Sequence, residues 1–253
     1  MKVSIITAVF NGADTIQDCI KSVLCQTYKD IEHIIIDGGS TDGTIEIIKK
    51  HAGISGKIKW ISEHDNGMYD AINKGIKMAT GEIIGILNSD DFYAHTGVIE
   101  MIINASSEHN VDACYGDLLY VDKNNPEKII RYWKSSSYTP GKFKFGWHPP
   151  HPSFFVRRLV YDRYGLFRTD LSIASDYELM LRFFERYKIR AHYIPEVLVK
   201  MRTGGKSNRS LKNILLQSIE DYRAWRMNGL SGGMLAVFLK KLRKAPQFVL
   251  RLR

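Results

Sequence analysis

Glu82-Ile83-Ile84-Gly85-Ile86-Leu87-Asn88-Ser89-Asp90-Asp91 is the stretch whose reading decides the fold. A short apolar run closing on two adjacent carboxylates is how an α/β enzyme sets charge at the mouth of a parallel sheet. Paired carboxylates there suit a divalent cation, which prefers oxygen ligands and bridges to phosphate. Asn, Ser and Asp also build ordinary turns, so the reading depends on what precedes it. Three earlier apolar runs end in similar polar signatures: 3–9 leads to Phe10-Asn11, 31–36 to Asp37, and 57–62 to Asp65.

Between these runs the period changes from strand to helix. Ile16, Cys19, Ile20, Val23 and Leu24 fall on one helical stripe, with Asp14 or Thr15 as N-cap and Gln17 at capping-box spacing from Asp14. Helices are also expected near 44–50 and 68–79, the latter striped by Met68, Ile72, Ile76 and Ala79. Four strand–helix alternations of this length make a parallel sheet with right-handed crossovers the economical solution. Ligands then bind beyond the carboxyl ends of the strands. Further on, a loop rich in Ser, Pro, Gly and aromatics (135–152) is expected at the active site. A helix across 175–187, a strand near 197–202 and a long helix across 210–227 follow.

The 253 residues, 44% hydrophobic and 25% charged, are enough for one large α/β domain or a domain with an appendage. Cys19, Cys25 and Cys114 show no metal-ligand spacing, and an odd, scattered count fits a reducing compartment without a disulfide framework. The apolar start lacks a small-residue cleavage pattern and reads as a strand. No window reaches the roughly 18 apolar residues of a spanning helix. Residues 222–253 hold eight basic side chains and no Asp or Glu; subtracting that +8 from the formal +9 leaves +1 for residues 1–221. The basic excess belongs to the tail, which speaks against a nucleic-acid-binding core and for a localised electrostatic contact.

Taken in order, several pieces resemble the family-2 glycosyltransferases, inverting enzymes of the GT-A fold, especially bacterial members that build surface polysaccharides. They are 3–7 leading to Phe10-Asn11; Asp37-Gly38-Gly39-Ser40-Thr41-Asp42-Gly43-Thr44; Glu63-His64-Asp65-Asn66-Gly67-Met68-Tyr69-Asp70-Ala71-Ile72-Asn73-Lys74-Gly75; Gly81-Glu82; Leu87-Asn88-Ser89-Asp90-Asp91; and Ser175-Asp176-Tyr177-Glu178-Leu179. The resemblance covers roughly residues 1–205. It implies a Rossmann-like, mostly parallel sheet flanked by helices, with a nucleotide-binding half (1–95), an acceptor-binding half (96–205) and a C-terminal helical extension (206–253).

By this likeness Thr7, Phe10 and Asn11 line the nucleotide pocket, Asp37 accepts from base or ribose, and Asp65 joins them. An Asp accepts N–H or O–H donors and an aromatic edge covers a flat ring. The Asn88–Asp91 segment takes the place of the family's DXD motif: Asp91 would bind Mg²⁺ or Mn²⁺ on the diphosphate and Asp90 would support the metal or the ribose. Asn88 departs from the Asp of many relatives; its amide oxygen still suits a hard cation, without charge. Asp176 matches the catalytic base, and Glu178 reads as an N-terminal acid favoured by the helix dipole. Arg202 opens a glycine-bearing loop (202–207) that would fold over the donor phosphates. His148 and His151 sit between prolines, where acceptor contact and a plain surface turn are both open; no soft third ligand accompanies them, so zinc is not indicated.

The implied function is transfer of a hexosyl or N-acetylhexosaminyl group from a nucleoside-diphosphate sugar, a uridine one, to a glycan. The expected acceptor is a lipid-linked intermediate of O-antigen, capsule or exopolysaccharide synthesis, and the alternative is a catalytically silent sugar-nucleotide-binding subunit. A dehydrogenase would show G-x-G-x-x-G where Ala8-Val9-Phe10-Asn11-Gly12-Ala13 stands, and no P-loop is present. Leu235, Phe238, Leu239 and Leu242 share a helical face, with Lys240, Lys241 and Lys244 largely opposite; Phe248, Val249, Leu250 and Leu252 follow Pro246. This pattern suggests peripheral contact with an anionic membrane at the cytoplasmic face, with no nucleic acid as partner. Packing on the domain, or on a second copy in a homo-oligomer, is the other reading of the same stripe.

Overall fold

The computed structural model describes residues 1–204 and 211–243. Strands β1 (Val3–Val9), β2 (Ile31–Asp37), β3 (Ile58–Ser62) and β4 (Ile83–Ile86) alternate with helices α1 (Ile16–Leu24), α2 (Thr44–Ile54) and α3 (Met68–Met78). The four strands pair in parallel in the order β3-β2-β1-β4. Strands β2 and β4 are buried along their whole length, as helices on both faces of a parallel sheet require. Alternate side chains divide between two cores. Ile6, Ile34, Ile36, Ile84 and Ile86 meet α3, whereas Val3, Ile5, Ile35 and Ile83 pack with α1.

The chain continues through β5 (Phe92–Tyr93), α4 (Val98–Glu108), β6 (Ala113–Val121), β7 (Ile129–Trp133), β8 (Phe154–Arg157), α5 (Arg158–Tyr164), α6 (Ser175–Leu181) and β9 (Ala191–Arg202). Strand β8 joins β4 to β6, antiparallel to both. Strand β9 then runs parallel to β6 and antiparallel to β5, so one sheet of order β3-β2-β1-β4-β8-β6-β9-β5 crosses both halves, with β7 on the outer side of β6. The helix expected across 175–187 is α6 continued by a π-turn, Arg182–Arg186.

One local expectation is corrected and another gains a packing role. The capping box of Asp14 and Gln17 does not form; Thr15 is the N-cap and makes no side-chain cap bond. Part of the 135–152 segment, expected as an active-site loop, also packs into the core, while Lys144 and Phe145 stay exposed. Tyr138, Phe143 and Trp147 pack with Tyr115 and Phe184, the Phe143 and Trp147 rings 5.5 Å apart and nearly perpendicular. Rings of this size stabilise most when removed from water in edge-to-face contact, which draws the loop inward.

Helices α7 (Leu211–Met227) and α8 (Gly233–Leu242), assigned by sequence to an extension, pack on this second half: Ala224, Trp225 and Ala236 join its core. The Trp225 indole N–H donates to the Tyr177 hydroxyl (3.0 Å). Helix α8 crosses so close to Gly146 (φ +74°) that a Cβ there would lie 2.2 Å from the Lys240 backbone nitrogen. Lys240, expected on a basic outer face, is instead buried: its ammonium lies 2.8–2.9 Å from both Asp221 carboxylate oxygens and 3.8 Å from the Tyr177 ring centre. Among the described residues no helix is long and apolar enough to cross a membrane.

Removing one partner of a buried ion pair strands the other charge. Lys240→Met should therefore lower unfolding stability by about 3–5 kcal/mol, and adding Asp221→Leu should restore most of it. Equal losses in the single and double variants in denaturant titrations would contradict this assignment. A second expectation concerns acid. Burial pulls the His33 imidazole from 6.5 down to about 3, so below pH 6.5 the unfolded chain binds a proton that native His33 refuses. Stability should fall as pH drops from 6.5 towards 3, by up to about 1.4 kcal/mol per pH unit from this residue. His33→Leu should flatten that slope; an unchanged slope would assign the effect elsewhere.

Candidate active site

At the carboxyl ends of β1 and β2 two loops are stitched together. The Asn11, Gly12 and Ala13 N–H groups donate to Ser40 Oγ (2.7 Å), Thr44 Oγ1 (2.9 Å) and Asp42 Oδ2 (3.0 Å). Asn11, at φ 51°, returns an acceptor to the Thr41 N–H (2.9 Å). Its side chain thus holds the pocket wall. Asp37 is fully buried; its Oδ2 accepts from the Gly39 and Ser40 N–H groups and the Ser62 hydroxyl, while Oδ1 has no protein partner. A buried acceptor left open in this way marks where a ligand donor would fit.

Phe10, 61% exposed, and Asp65 close over the same spot: a Cβ on Gly38 would lie 3.5 Å from the Phe10 ring and 3.4 Å from Asp65 Oδ2. Lys74 fixes Asp65 by an ion pair at 2.6 Å and also reaches Glu63 at 2.7 Å. Phe10, Asp37 and Asp65 are therefore brought together. Thr7 is not with them. It lies fully buried beneath, with its hydroxyl 2.9 Å from His33 Nε2, because its position in β1 faces the core rather than the strand end.

The acidic pair beyond β4 divides its roles differently from the sequence expectation. Asp91 is fully buried, with Oδ2 accepting from the Asn88 amide (2.8 Å) and Oδ1 from the Arg202 N–H (3.2 Å). Burial first, and then the charge of Asp90, push its carboxyl well above the usual carboxylate range. Each Asp91 oxygen thus has a protein donor, and Asp91 is the buried member of the pair. Half-buried Asp90 is the carboxylate at the surface of the turn. Arg202 is buried too; its guanidinium donates to the Asp90 carbonyl (2.8 Å) and Asp18 (2.5 Å) and lies over the Phe92 ring. It braces the turn and floors a groove of about 320 Å³ with Asp14, Asp18 and Lys123. Residues 205–207 of its expected loop lie outside the described residues.

Asp176 lies in the first turn of α6, half-buried, with Oδ1 2.8 Å from the Tyr177 N–H and 3.5 Å from the Tyr69 hydroxyl. The loop before it is held by Glu220 of α7, which accepts from the Ser172, Ile173 and Ala174 N–H groups, each at 2.9 Å. Glu178, expected as a dipole-favoured acid, does lie in the first turn of α6, where it is buried and bonded to Arg182 (3.0 Å) and Asn228 (3.0 Å). Burial lowers the titration of His151 while the Asp176 charge opposes that, and the His151 ring meets Phe167 edge-on at 5.6 Å. His148 turns instead towards Trp133 and Tyr177.

Tyr120 and Arg131 were not singled out by sequence. The Arg131 guanidinium lies 3.8 Å from the Tyr120 ring centre, and Tyr120 feels the charges of both Asp91 and Asp176. Each residue belongs to an unremarkable strand, so only cross-strand pairing reveals it. Among the described residues no group of three or more His, Cys, Asp and Glu is arranged to hold a metal unaided. One surface carboxylate suits a cation that takes its other oxygens from a bound diphosphate.

Comparison with known proteins places this geometry. The family model "Glycosyl transferase family 2" matches residues 4–165. An uncharacterised glycosyltransferase of Rickettsia typhi is 28% identical over 98% of this chain and 75% of its own length. Another, from Mycobacterium tuberculosis, is 35% identical over 71% of this chain and 68% of its own. Among solved structures, S. aureus TarS 1–349 in complex with UDP-GlcNAc superposes with a TM-score of 0.66 at 17% identity, over 87% of this chain and 66% of that one. The mannosyltransferase PcManGT of Pyrobaculum calidifontis, in complex with GDP-Man and Mn²⁺, gives 0.65 at 18% identity, over 97% and 75%. With the family model covering well over half of its length, the chain belongs to glycosyl transferase family 2 and is a glycosyltransferase of the GT-A fold.

Proposed function

We propose that this glycosyltransferase moves a hexosyl or N-acetylhexosaminyl group from a uridine diphosphate sugar to a lipid-linked glycan of surface polysaccharide synthesis, with inversion. The observation that carries the donor half is Asp37. Three donors occupy its Oδ2 and leave a single buried acceptor, Oδ1, beside the exposed Phe10 ring. One acceptor matches the one ring N–H of uracil; guanine presents adjacent N–H donors that a carboxylate with both oxygens open would pair. TarS in complex with UDP-GlcNAc supports the same reading. For the acceptor, the support is a curated relative from Mycobacterium bovis, a PGL/p-HBAD biosynthesis glycosyltransferase, 28% identical over 81% of this chain.

In the transfer, Asp176 takes the proton of the acceptor hydroxyl while that oxygen bonds to the anomeric carbon. The bond from that carbon to the diphosphate breaks on the opposite face, and its electron pair leaves with the diphosphate. The Tyr177 N–H holds one Asp176 oxygen, the Tyr69 hydroxyl fixes the preceding loop by donating to the Ile173 carbonyl (2.8 Å), and the other Asp176 oxygen would meet the acceptor. Glu220 keeps the preceding loop from drifting, which matters because a displacement of about 1 Å costs about 100-fold in rate. Asp90 would hold a divalent cation, Mn²⁺ or Mg²⁺, against the donor. When bound, such a cation spreads the negative charge of the leaving diphosphate.

Asp176→Asn should preserve UDP binding and lower turnover by about 10²–10⁴-fold, the usual contribution of a positioned base. Slow donor hydrolysis in the absence of acceptor should fall with it. Near-normal turnover in the variant would remove Asp176 from this role. UDP binding without any donor hydrolysis by the unaltered protein would favour the silent-subunit alternative.

A further inference from the structure

Helix α8 is amphipathic in the unusual sense. Its inward face carries Gly233, Ala236 and Lys240, and the last of these is locked to Asp221. The outward face carries Met234, Leu235, Phe238 and Leu242, exposed by 76%, 55%, 61% and 55%. Phe145, 60% exposed, stands next to the end of the helix, since the Arg243 guanidinium donates to its carbonyl (2.8 Å). Large apolar side chains gathered on one outer face are uncommon on a monomeric surface and mark a contact site.

The charge around this face selects its partner. Lys144, Lys241 and Arg243 are exposed beside it. Neither the 134–147 segment nor residues 222–253 contains any Asp or Glu. A second copy of the chain, docked about a two-fold axis, would set these cations against themselves, an arrangement that like-charge repulsion disfavours. A negatively charged bilayer surface satisfies both features at once, taking apolar side chains at the acyl boundary and basic ones among the headgroups.

We propose that the outer face of α8, with Phe145, is a docking surface for an anionic lipid bilayer. The inner face of the same helix fixes how the domain sits on that surface. Lys240 and Asp221 bind α8 to α7, the Lys240 ammonium covers Tyr177, and α7 anchors the loop before Asp176 through Glu220. A bilayer held by α8 is thus connected through two helices to the residues around Asp176. This inference stands apart from the donor assignment, because α8 takes no part in the nucleotide pocket.

The test is co-sedimentation of the full chain with vesicles of phosphatidylcholine alone and with about one-third phosphatidylglycerol. The double variant Leu235→Ser/Phe238→Ser serves as comparison; both residues are exposed, so its thermal midpoint and UDP affinity should match the unaltered protein. The unaltered protein should bind the anionic vesicles, release in high salt, and bind neutral vesicles weakly. The double variant should partition at least about 10-fold less, and Lys241→Ala about 5-fold less. Equal binding by the double variant would overturn the proposal. So would absence of binding to anionic vesicles, or a dimer in sedimentation velocity that the double variant dissociates. UDP binding in solution reports separately on the donor site, so failure of either reading leaves the other measurable.

Discussion

The site depends on a reciprocal clamp at the ends of β4 and β9. Asp91 reaches under the turn to the Arg202 N–H, and the Arg202 side chain reaches back to the Asp90 carbonyl and across to Asp18 in α1. An isolated buried carboxylate is costly, and this one is tolerated because the Asn88 amide and a backbone N–H satisfy its oxygens. The clamp ties three distant segments to one point. It also sets the direction of the neighbouring residue: with Asp91 turned inward, Asp90 is left at the surface. The two carboxylates thus differ in burial, and Asp90 is the one proposed to meet a cation.

A second set of anchors does the same for the opposite side of the cleft. Asp176 is in a seven-residue helix that has little rigidity of its own. Tyr69 from α3, Glu220 and Trp225 from α7, and Lys240 from α8 all bear on it or on its immediate neighbours. A carboxylate that must meet a hydroxyl to within hydrogen-bond reach needs such bracing. The helices beyond residue 205 are part of the active domain in this mechanical sense.

The first half of the fold was legible because local sequence and global structure agree there. Buried runs end in polar turns, and helical stripes such as Ile16, Cys19, Ile20 and Val23 bury as their spacing requires. The second half was not, because β6 pairs with β8 and β9, whose sequences lie far away and carry no shared pattern. Periodicity also tells that a helix has two faces without telling which is inside. In α8 the apolar stripe faces outward, as a membrane contact would need, but Lys240, expected on a basic outer face, is held inside by Asp221 on another helix. The same limit applies to Asp90 and Asp91. Adjacent carboxylates in a turn look alike in sequence, and only the Arg202 N–H at the far end of β9 distinguishes them. The buried Arg182 and Asn228 partners that hold Glu178 away from Asp176 were not visible in sequence.

The division of labour between Asp90 and Asp91 is tested most directly by calorimetric titration of UDP with Mn²⁺ and with chelator, alongside thermal midpoints. Asp90→Asn should lose the metal-dependent gain in UDP affinity, about 10-fold or more, with an unchanged midpoint. Asp91→Asn should lower the midpoint, since an amide cannot accept from both the Asn88 amide and the Arg202 N–H, while its folded fraction keeps the metal-dependent gain. Loss of that gain in Asp91→Asn at an unaltered midpoint, with Asp90→Asn still responding to Mn²⁺, would contradict the assignment.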